Sequence, residues 1–234
     1  MSRSCLSHLG IAKPLLSYYD PKEEERSPAL LERLRAGEKI ALVSESGMPA
    51  LSDPGFRLVR SAIAAGIPVV PVPGPSSLLA ALVVSGLPTA RFAFEGFLPA
   101  RALARRKKLA SLAEDERTLV FFESPRRLAA ALRDVGLAMG DRRVAVAREL
   151  TKKFEEVIRG TTAEVAARLG GREIRGEVVL VVEGKTGGAD DSGLPLPDQV
   201  KKFQEELGIS RMEAIKLVAR SRGVRKSDVY RALL

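Results

Sequence analysis

Apolar spacing along the first third of the chain alternates between helical and extended periods. In SPALLERLR (27–35), Leu30, Leu31 and Leu34 fall on one helical face with Pro28 at an early position, so a helix is expected after Ser27, closed by Gly37. Lys39–Ser44 (KIALVS) is a short apolar run of the kind that forms a strand buried on both faces. The unit then repeats. Phe56–Ala65 is apolar at helical spacing, Gly66 closes it, and Val69–Val72 reads as a second buried strand running into Pro73-Gly74-Pro75. Helices alternating with continuous apolar strands predict a parallel sheet and the α/β class.

Beyond a helix over Ser76–Ser85 the rhythm changes. Arg91–Phe97 (RFAFEGF) alternates instead of running apolar, which places a boundary near Ala90. Thr118–Glu123, Arg143–Glu149, Phe154–Gly160 and Glu177–Glu183 read as strands separated by helices over Arg126–Met139 and Ala163–Leu169, a mixed sheet. Lys185–Pro197 is rich in Gly and Pro without aliphatic period and reads as a flexible linker. The remainder predicts two or three amphipathic helices broken at Gly208 and Gly223, with Ser210 and Ser227 as N-caps and Glu213 completing a capping box. Helix, turn, helix in this order is a helix-turn-helix pattern, and a packing tail is the plainer account. The expected organisation is an N-terminal α/β domain (1–90), a second α/β domain with a mixed sheet (91–186), a linker (187–197) and a helical tail (198–234).

Composition narrows the chemistry. With 45% hydrophobic and 29% charged side chains in 234 residues, disorder and collagen are excluded. Cys5 and His8 stand alone as cysteine and histidine, so neither a Cys/His zinc cluster nor a Ser-His-Asp triad is readily built, and no metal is expected. Lys and Arg number 38 against 29 Asp and Glu, a net charge of +9 that favours a polyanionic partner, RNA first. No apolar stretch approaches the ~20 residues of a membrane span, and the first residues lack an apolar signal core, so a cytoplasmic protein is expected.

Two loops follow predicted strands, where α/β proteins place ligands. Ser44–Gly55 (SESGMPALSDPG) gathers small and turn residues with Glu45 and Asp53; Gly47 permits positive φ or close backbone approach, and Ser52 and Asp53 sit where a helix N-cap would stand. Val72–Ser77 (VPGPSS) brings Gly74 and a Ser pair to a helix start. Both can equally be structural turns, and neither matches a dinucleotide-binding or P-loop pattern.

These segments, followed in order by RFAFEGFLP, FFESPRRL, RELTKKFEEVIRG and GEVVLVVEG, resemble the tetrapyrrole-methylase superfamily, and within it the branch of ribosomal small-subunit RNA 2′-O-methyltransferases that modify a cytidine of the decoding region of 16S RNA. The resemblance runs from Leu6 to the end, the tail included. It implies a two-domain fold holding S-adenosylmethionine in a cleft, without a metal, in a homodimer acting on 16S RNA or the small subunit. Position by position, it carries the first cofactor loop onto Gly47, Met48, Pro49, Ser52 and Asp53, and the second onto Ser76 and Ser77. Phe122 and Glu123 fall at the strand end opening FESPRR, and Gly176 and Glu177 before the last strand. Members usually open with a strand ending in a TPIGNL-type loop, a helix and a second strand ending in an AEDTR-type stretch. This chain starts inside the following helix, at MSRSCLSHLGI, so a misassigned start or a shortened chain is expected. Met48 stands where Thr is frequent, which removes a hydroxyl from the cofactor loop.

For methyl transfer to a ribose hydroxyl, positioning is the largest requirement and a general base adds about 10²–10⁴-fold. Glu149 and Lys152, in the segment resembling the family's RELTK motif, are the expected catalytic residues. Arg126, Arg127 and Arg148 are expected on RNA phosphates; the plainer account is that Arg148–Glu149 and Lys152–Glu155 are surface ion pairs. RALARRKK (101–108) carries five basic residues in eight; Arg101, Arg105, Arg106, Lys107 and Lys108 are expected to contact RNA, against the plainer account of a solvated helical face. The alternatives are a methylase of a tetrapyrrole or other small metabolite, or an inert RNA-binding homologue.

Overall fold

The computed structural model describes residues 6–44, 47–185, 194–222 and 224–233, and its contacts divide the chain into two compact units, Met1–Lys185 and Thr186–Leu234. In the first unit the helices are α1 (Asp20–Arg35), α2 (Phe56–Ala64), α3 (Ser77–Ser85), α4 (Ala102–Ser111), α5 (Leu128–Met139) and α6 (Thr162–Leu169). The strands are β1 (Phe92–Phe97), β2 (Thr118–Glu123), β3 (Arg143–Arg148), β4 (Glu156–Thr161) and β5 (Val178–Val182), forming one sheet in the order β1-β2-β5-β3-β4. Only β1 and β2 pair in parallel; the other pairs are antiparallel.

Period-two alternation sorts the sheet side chains onto two buried faces. Leu119, Phe121, Val144, Val146, Leu180 and Val182 join Leu109 of α4, Leu128 and Leu132 of α5 and Val165 of α6 in the larger core. On the opposite face Val120, Ala145, Ala147, Val179 and Val181 receive Leu78, Ala81 and Leu82 of α3. Small Ala145 and Ala147 suit a face that one short helix must cover closely. Because α3 packs directly on the sheet, the boundary expected near Ala90 runs through the first unit; the contact division falls at Lys185, at the start of the expected linker. Most of that linker lies outside the described residues, and its end, from Leu196, is already helical.

The expected strands over Lys39–Ser44 and Val69–Val72 are not formed. Neither run joins a ladder, and Val43, Val69, Val70 and Val72 are exposed, Val70 and Val72 by 79% and 81%. An apolar run becomes a strand only when a neighbour takes its N–H and C=O groups, and no described segment does so here. Pro28 lies inside α1, which starts earlier than expected because the charged run after Tyr19 is itself helix-forming. α1 pairs with α2 through buried Leu30, Leu58 and Ala62.

The second unit holds α7 (Leu196–Leu207), α8 (Arg211–Arg222) and α9 (Lys226–Arg231) around Val200, Ala214, Ile215, Val218 and Val229. The Ser210–Glu213 capping box forms, with Ser210 N–H donating to Glu213 Oε2 at 3.0 Å and Glu213 N–H donating to Ser210 Oγ at 3.3 Å. Ser227 does not cap: α9 is entered from Arg225, leaving Ser227 inside the helix. Among the described residues no helix is long and apolar enough to cross a membrane, and no group of three or more His, Cys, Asp or Glu could hold a metal ion.

Candidate functional site

Strand register collects the chemistry at one end of the sheet. Glu123 and Arg148 both stand opposite Val178, Arg148 opposite Glu156, and Phe97 opposite Phe122. The carboxyl ends of β1, β2 and β3 therefore meet the amino ends of β4 and β5 there, with Gly176 and Glu177 leading into β5. α3 runs the other way. Past its end, the Pro88 carbonyl accepts from the Thr118 hydroxyl (2.6 Å) at the start of β2, so Ser76 and Ser77 at its beginning point towards the Glu123 end. Ser76 caps α3, accepting the Leu79 N–H at 3.5 Å.

The turn after β3 is held in an unusual conformation. Among the described residues, the non-glycine residues with positive φ are Ala50, Ser52, Glu149 and Thr151, all in the loop before α2 or in this turn. Such backbone costs on the order of 1–3 kcal/mol and persists only where surroundings impose it. For Glu149 they do. Its N–H donates to the Glu177 carbonyl (3.0 Å), and its Oε1 accepts from Glu177 N–H and from Lys152 Nζ, each at 2.9 Å. Lys152 Nζ also donates to Glu177 Oε2 at 3.2 Å. Gly176, at φ +89°, leaves room for this carboxylate: a Cβ there would stand 2.3 Å from Glu149 Cδ. The Lys152 ammonium and the Glu177 amide hold the Glu149 carboxyl below its usual range, and Glu149 in turn holds Lys152 above the usual range for an amine. Near neutral pH the pair is carboxylate and ammonium.

Glu123 is buried beside it. Its Oε1 takes Arg127 NH2 (2.7 Å) and Ser124 N–H (2.6 Å), while Oε2 is buried with no hydrogen-bond partner. An edge-on ring pair, Phe94 and Phe122 with centroids 4.8 Å apart, leads to Phe97, 55% exposed at the end of β1. The β1 bulge at Gly96 admits the first loop: Ser52 Oγ lies 3.4 Å from where a Cβ on Gly96 would stand. Gly47 and Met48 are exposed and Pro49 is half-buried in the same loop. Asp53 is not the cap of α2. It accepts from the Ser44 hydroxyl, while the cap residue is Gly55, and Glu23 Oε1 of α1 takes the N–H groups of Gly55 (3.1 Å) and Arg57 (3.0 Å). Nothing in the KEEER run singles Glu23 out for this role, because the amides it takes lie more than thirty positions away.

The basic residues divide. Arg101, Arg106, Lys107 and Arg126 are exposed. Arg105 is not an RNA contact: its side chain is 6% exposed and paired to Asp134 at 2.7 Å, because its place on α4 faces α5. Arg106 Nε shares Asp134 at 2.8 Å. Lys108 pairs with Glu95 (2.7 Å), Arg127 with Glu123, and Arg148 with Glu156 (3.1 Å). Asp134 had a visible signal: it falls on the buried stripe of its helix with Ala131 and Val135.

An exposed aromatic ring, an unpartnered buried carboxylate oxygen and further carboxylates at one sheet end fit, in chemical kind, a ligand with a flat heterocycle and an ammonium group. A family model for Tetrapyrrole (Corrin/Porphyrin) Methylases matches residues 8–166. The "Ribosomal RNA small subunit methyltransferase I" of Xylella fastidiosa (strain Temecula1) is 50% identical over 186 residues, 78% of this chain and 68% of that one. The protein of the same name from Halalkalibacterium halodurans is 42% identical over 233 residues, 98% and 81% of the two chains. Among solved structures, a uroporphyrin-III C-methyl transferase from Thermus thermophilus, complexed with S-adenyl homocysteine, superposes with TM-score 0.50 at 25% identity, covering 75% of this chain and 79% of that one.

Proposed function

From the premise that the chain belongs to the tetrapyrrole (corrin/porphyrin) methylase family, we propose that it methylates a cytidine ribose 2′-hydroxyl in the decoding region of 16S ribosomal RNA, using S-adenosylmethionine. The observation that carries this reading is likeness at 42% identity across 98% of the chain to a small-subunit ribosomal RNA methyltransferase. The T. thermophilus relative with S-adenyl homocysteine supports the cofactor. The net charge of +9 favours RNA over a small metabolite.

When bound, S-adenosylmethionine supplies an electrophilic methyl group on a sulfonium. The chain's residues do the rest. Phe97 and Phe122, the backbone of the loops bearing Gly47, Met48, Pro49, Ser52, Asp53, Ser76 and Ser77, and the Glu123, Gly176 and Glu177 segments hold the donor. Arg101, Arg106, Lys107 and Arg126 hold RNA phosphates. The Glu149 carboxylate would accept the proton that the ribose hydroxyl loses on methylation. Lys152, an ammonium near neutral pH, cannot accept that proton and instead fixes the carboxylate. Positioning is the main contribution, with the proton acceptor adding about 10²–10⁴-fold. In this reading the protein works in the cytoplasm as a homodimer that covers the exposed run around Val70 and Val72.

Mass mapping of 16S RNA nucleotides from cells with and without the gene tests the proposal. A ribose methyl on a decoding-region cytidine that vanishes with the gene is expected; an unchanged methylation pattern would overturn it. Replacing Glu149 by Gln should lower kcat by at least about 10²-fold, and wild-type turnover on saturating RNA would remove Glu149 from the mechanism.

A further inference from the structure

The helical unit carries a cavity that no step above uses. It lies between α8 and α9, has a volume of about 380 Å³, and is lined by Met212, Ile215, Lys226, Ser227, Tyr230 and Arg231. Its floor is apolar: Ile215 is 2% exposed, while Met212 and Tyr230 are 54% and 50% exposed and form the open sides. Its rim is cationic. Lys226 is exposed and makes no ion pair among the described residues, and the Arg231 side chain is 76% exposed with its contact to Asp228 at 4.0 Å. Residues 198–234 carry nine Lys and Arg against five Asp and Glu, so +4.

An exposed tyrosine beside a methionine, with solvent-exposed cations within a turn of it, has the composition of a site for a flat, apolar ring joined to an anion. The floor offers Met212, Ile215 and Tyr230 only, far below the ~800 Å² per partner that a stable protein interface buries. Charge of one sign on the rim would repel a second copy's identical rim. A nucleotide matches both parts. Every base has a π face to lay on tyrosine, and its flanking phosphates meet lysine and arginine.

We propose that the α8–α9 cavity stacks an unpaired base of the RNA substrate on Tyr230, with Lys226 and Arg231 on the adjoining phosphates. This deepens the RNA reading above and rests on it. The site is tolerant of base identity and selects single-stranded over duplex RNA, because a paired base has no free face to offer.

The test uses the full chain and a labelled single-stranded oligoribonucleotide of mixed sequence, with binding followed by anisotropy over a salt series. Tyr230→Ala should weaken binding about 5–150-fold, the range expected for one stacked base, while Tyr230→Phe should bind as wild type. The Lys226→Ala, Arg231→Ala pair should reduce the slope of log K against log salt by about 1.4, two phosphates at ~0.7 each for single strands. Unchanged affinity in Tyr230→Ala, or an unchanged slope in the double variant, overturns the proposal. So does a Tyr230→Ala chain that loses self-association in sedimentation but keeps its RNA affinity, which would make the cavity a protein interface. Methyl transfer by the wild-type chain is scored separately. If binding behaves as expected and no ribose is methylated, the stacking site stands and the enzymatic reading fails; if methylation occurs and the variants bind as wild type, only the stacking site fails.

Discussion

Removing the Asp134 carboxylate should unfold the first unit far more readily than removing any exposed cation of the same basic run. Asp134 and Arg105 have side chains 3% and 6% exposed, in contact at 2.7 Å, whereas the Arg106 side chain on the same carboxylate is 57% exposed. Deleting one member of a buried pair leaves an uncompensated buried charge, at a cost of about 3–5 kcal/mol. An exposed pair is worth about 0–1 kcal/mol. At roughly 2–4 °C per kcal/mol for a unit of this size, Asp134→Ala should lower Tm by about 6–20 °C, and Arg106→Ala by less than about 4 °C. Calorimetry of the full chain near neutral pH reads both. Burial alone would raise the Asp134 carboxyl; the hydrogen bonds from Arg106 and Arg105 outweigh it and hold the group below its ordinary value. The unfolded chain therefore binds the proton more readily than the native one. The stabilisation is complete above the unfolded aspartate value of about 3.9 and is lost as pH falls through the lower native value, so the gap between wild type and variant should close in acid. A loss below about 1 kcal/mol in Asp134→Ala, or an equal loss in Arg106→Ala, would refute the assignment of Arg105 to the core.

The remaining exposed cations of that run give a second outcome: Arg101→Ala, Arg106→Ala and Lys107→Ala together should flatten the salt dependence of RNA binding by about 2, three phosphates at ~0.7 each, measured by anisotropy. Gly176→Ala should destabilise the chain and abolish methyl transfer, since its Cβ would stand 2.3 Å from Glu149 Cδ; adding Glu149→Ala should recover part of the lost Tm, and additive losses would show that the two do not meet. Glu23→Ala should cost about 1–3 kcal/mol by stranding the amides of Gly55 and Arg57, with weaker cofactor binding by calorimetry. With Glu149 held low chiefly by the Lys152 hydrogen bond and Lys152 held high chiefly by the Glu149 hydrogen bond, neither titrates between about pH 6 and 9, so kcat should be flat there. A sigmoidal rise through neutrality would identify a different proton acceptor.

Much of this molecule was readable in one dimension because its buried strands announce themselves. The central positions of TLVFFE and EVVLVVE sit between two covered faces and are apolar, and the predicted spans differ from β2 and β5 by a residue or two at most. The Ser210–Glu213 box was equally legible, since a cap bonds within its own turn. The same reasoning failed at KIALVS and at Val69–Val72, where an identical apolar signal produced no strand: composition states that a segment can pair, and only another segment decides whether it does. The basic run RALARRKK failed differently. Charge count treats five cations alike, while helix phase turns Arg105 inwards to Asp134 and leaves Arg106 and Lys107 in water.

Local order, then, was set by the sequence alone: which stretches are apolar, which of them are helix-forming, which turns carry small residues, and how much positive charge the chain bears. Tertiary structure decided who stands beside whom. Glu149, Lys152, Gly176 and Glu177 meet because β3 and β5 pair antiparallel in one particular register, and Glu23 reaches Gly55 because α1 and α2 pack. Those partners are separated by tens of residues, and short-range preferences carry no information about contacts at that range; register and packing, driven by burial of the sheet's two apolar faces, supply it.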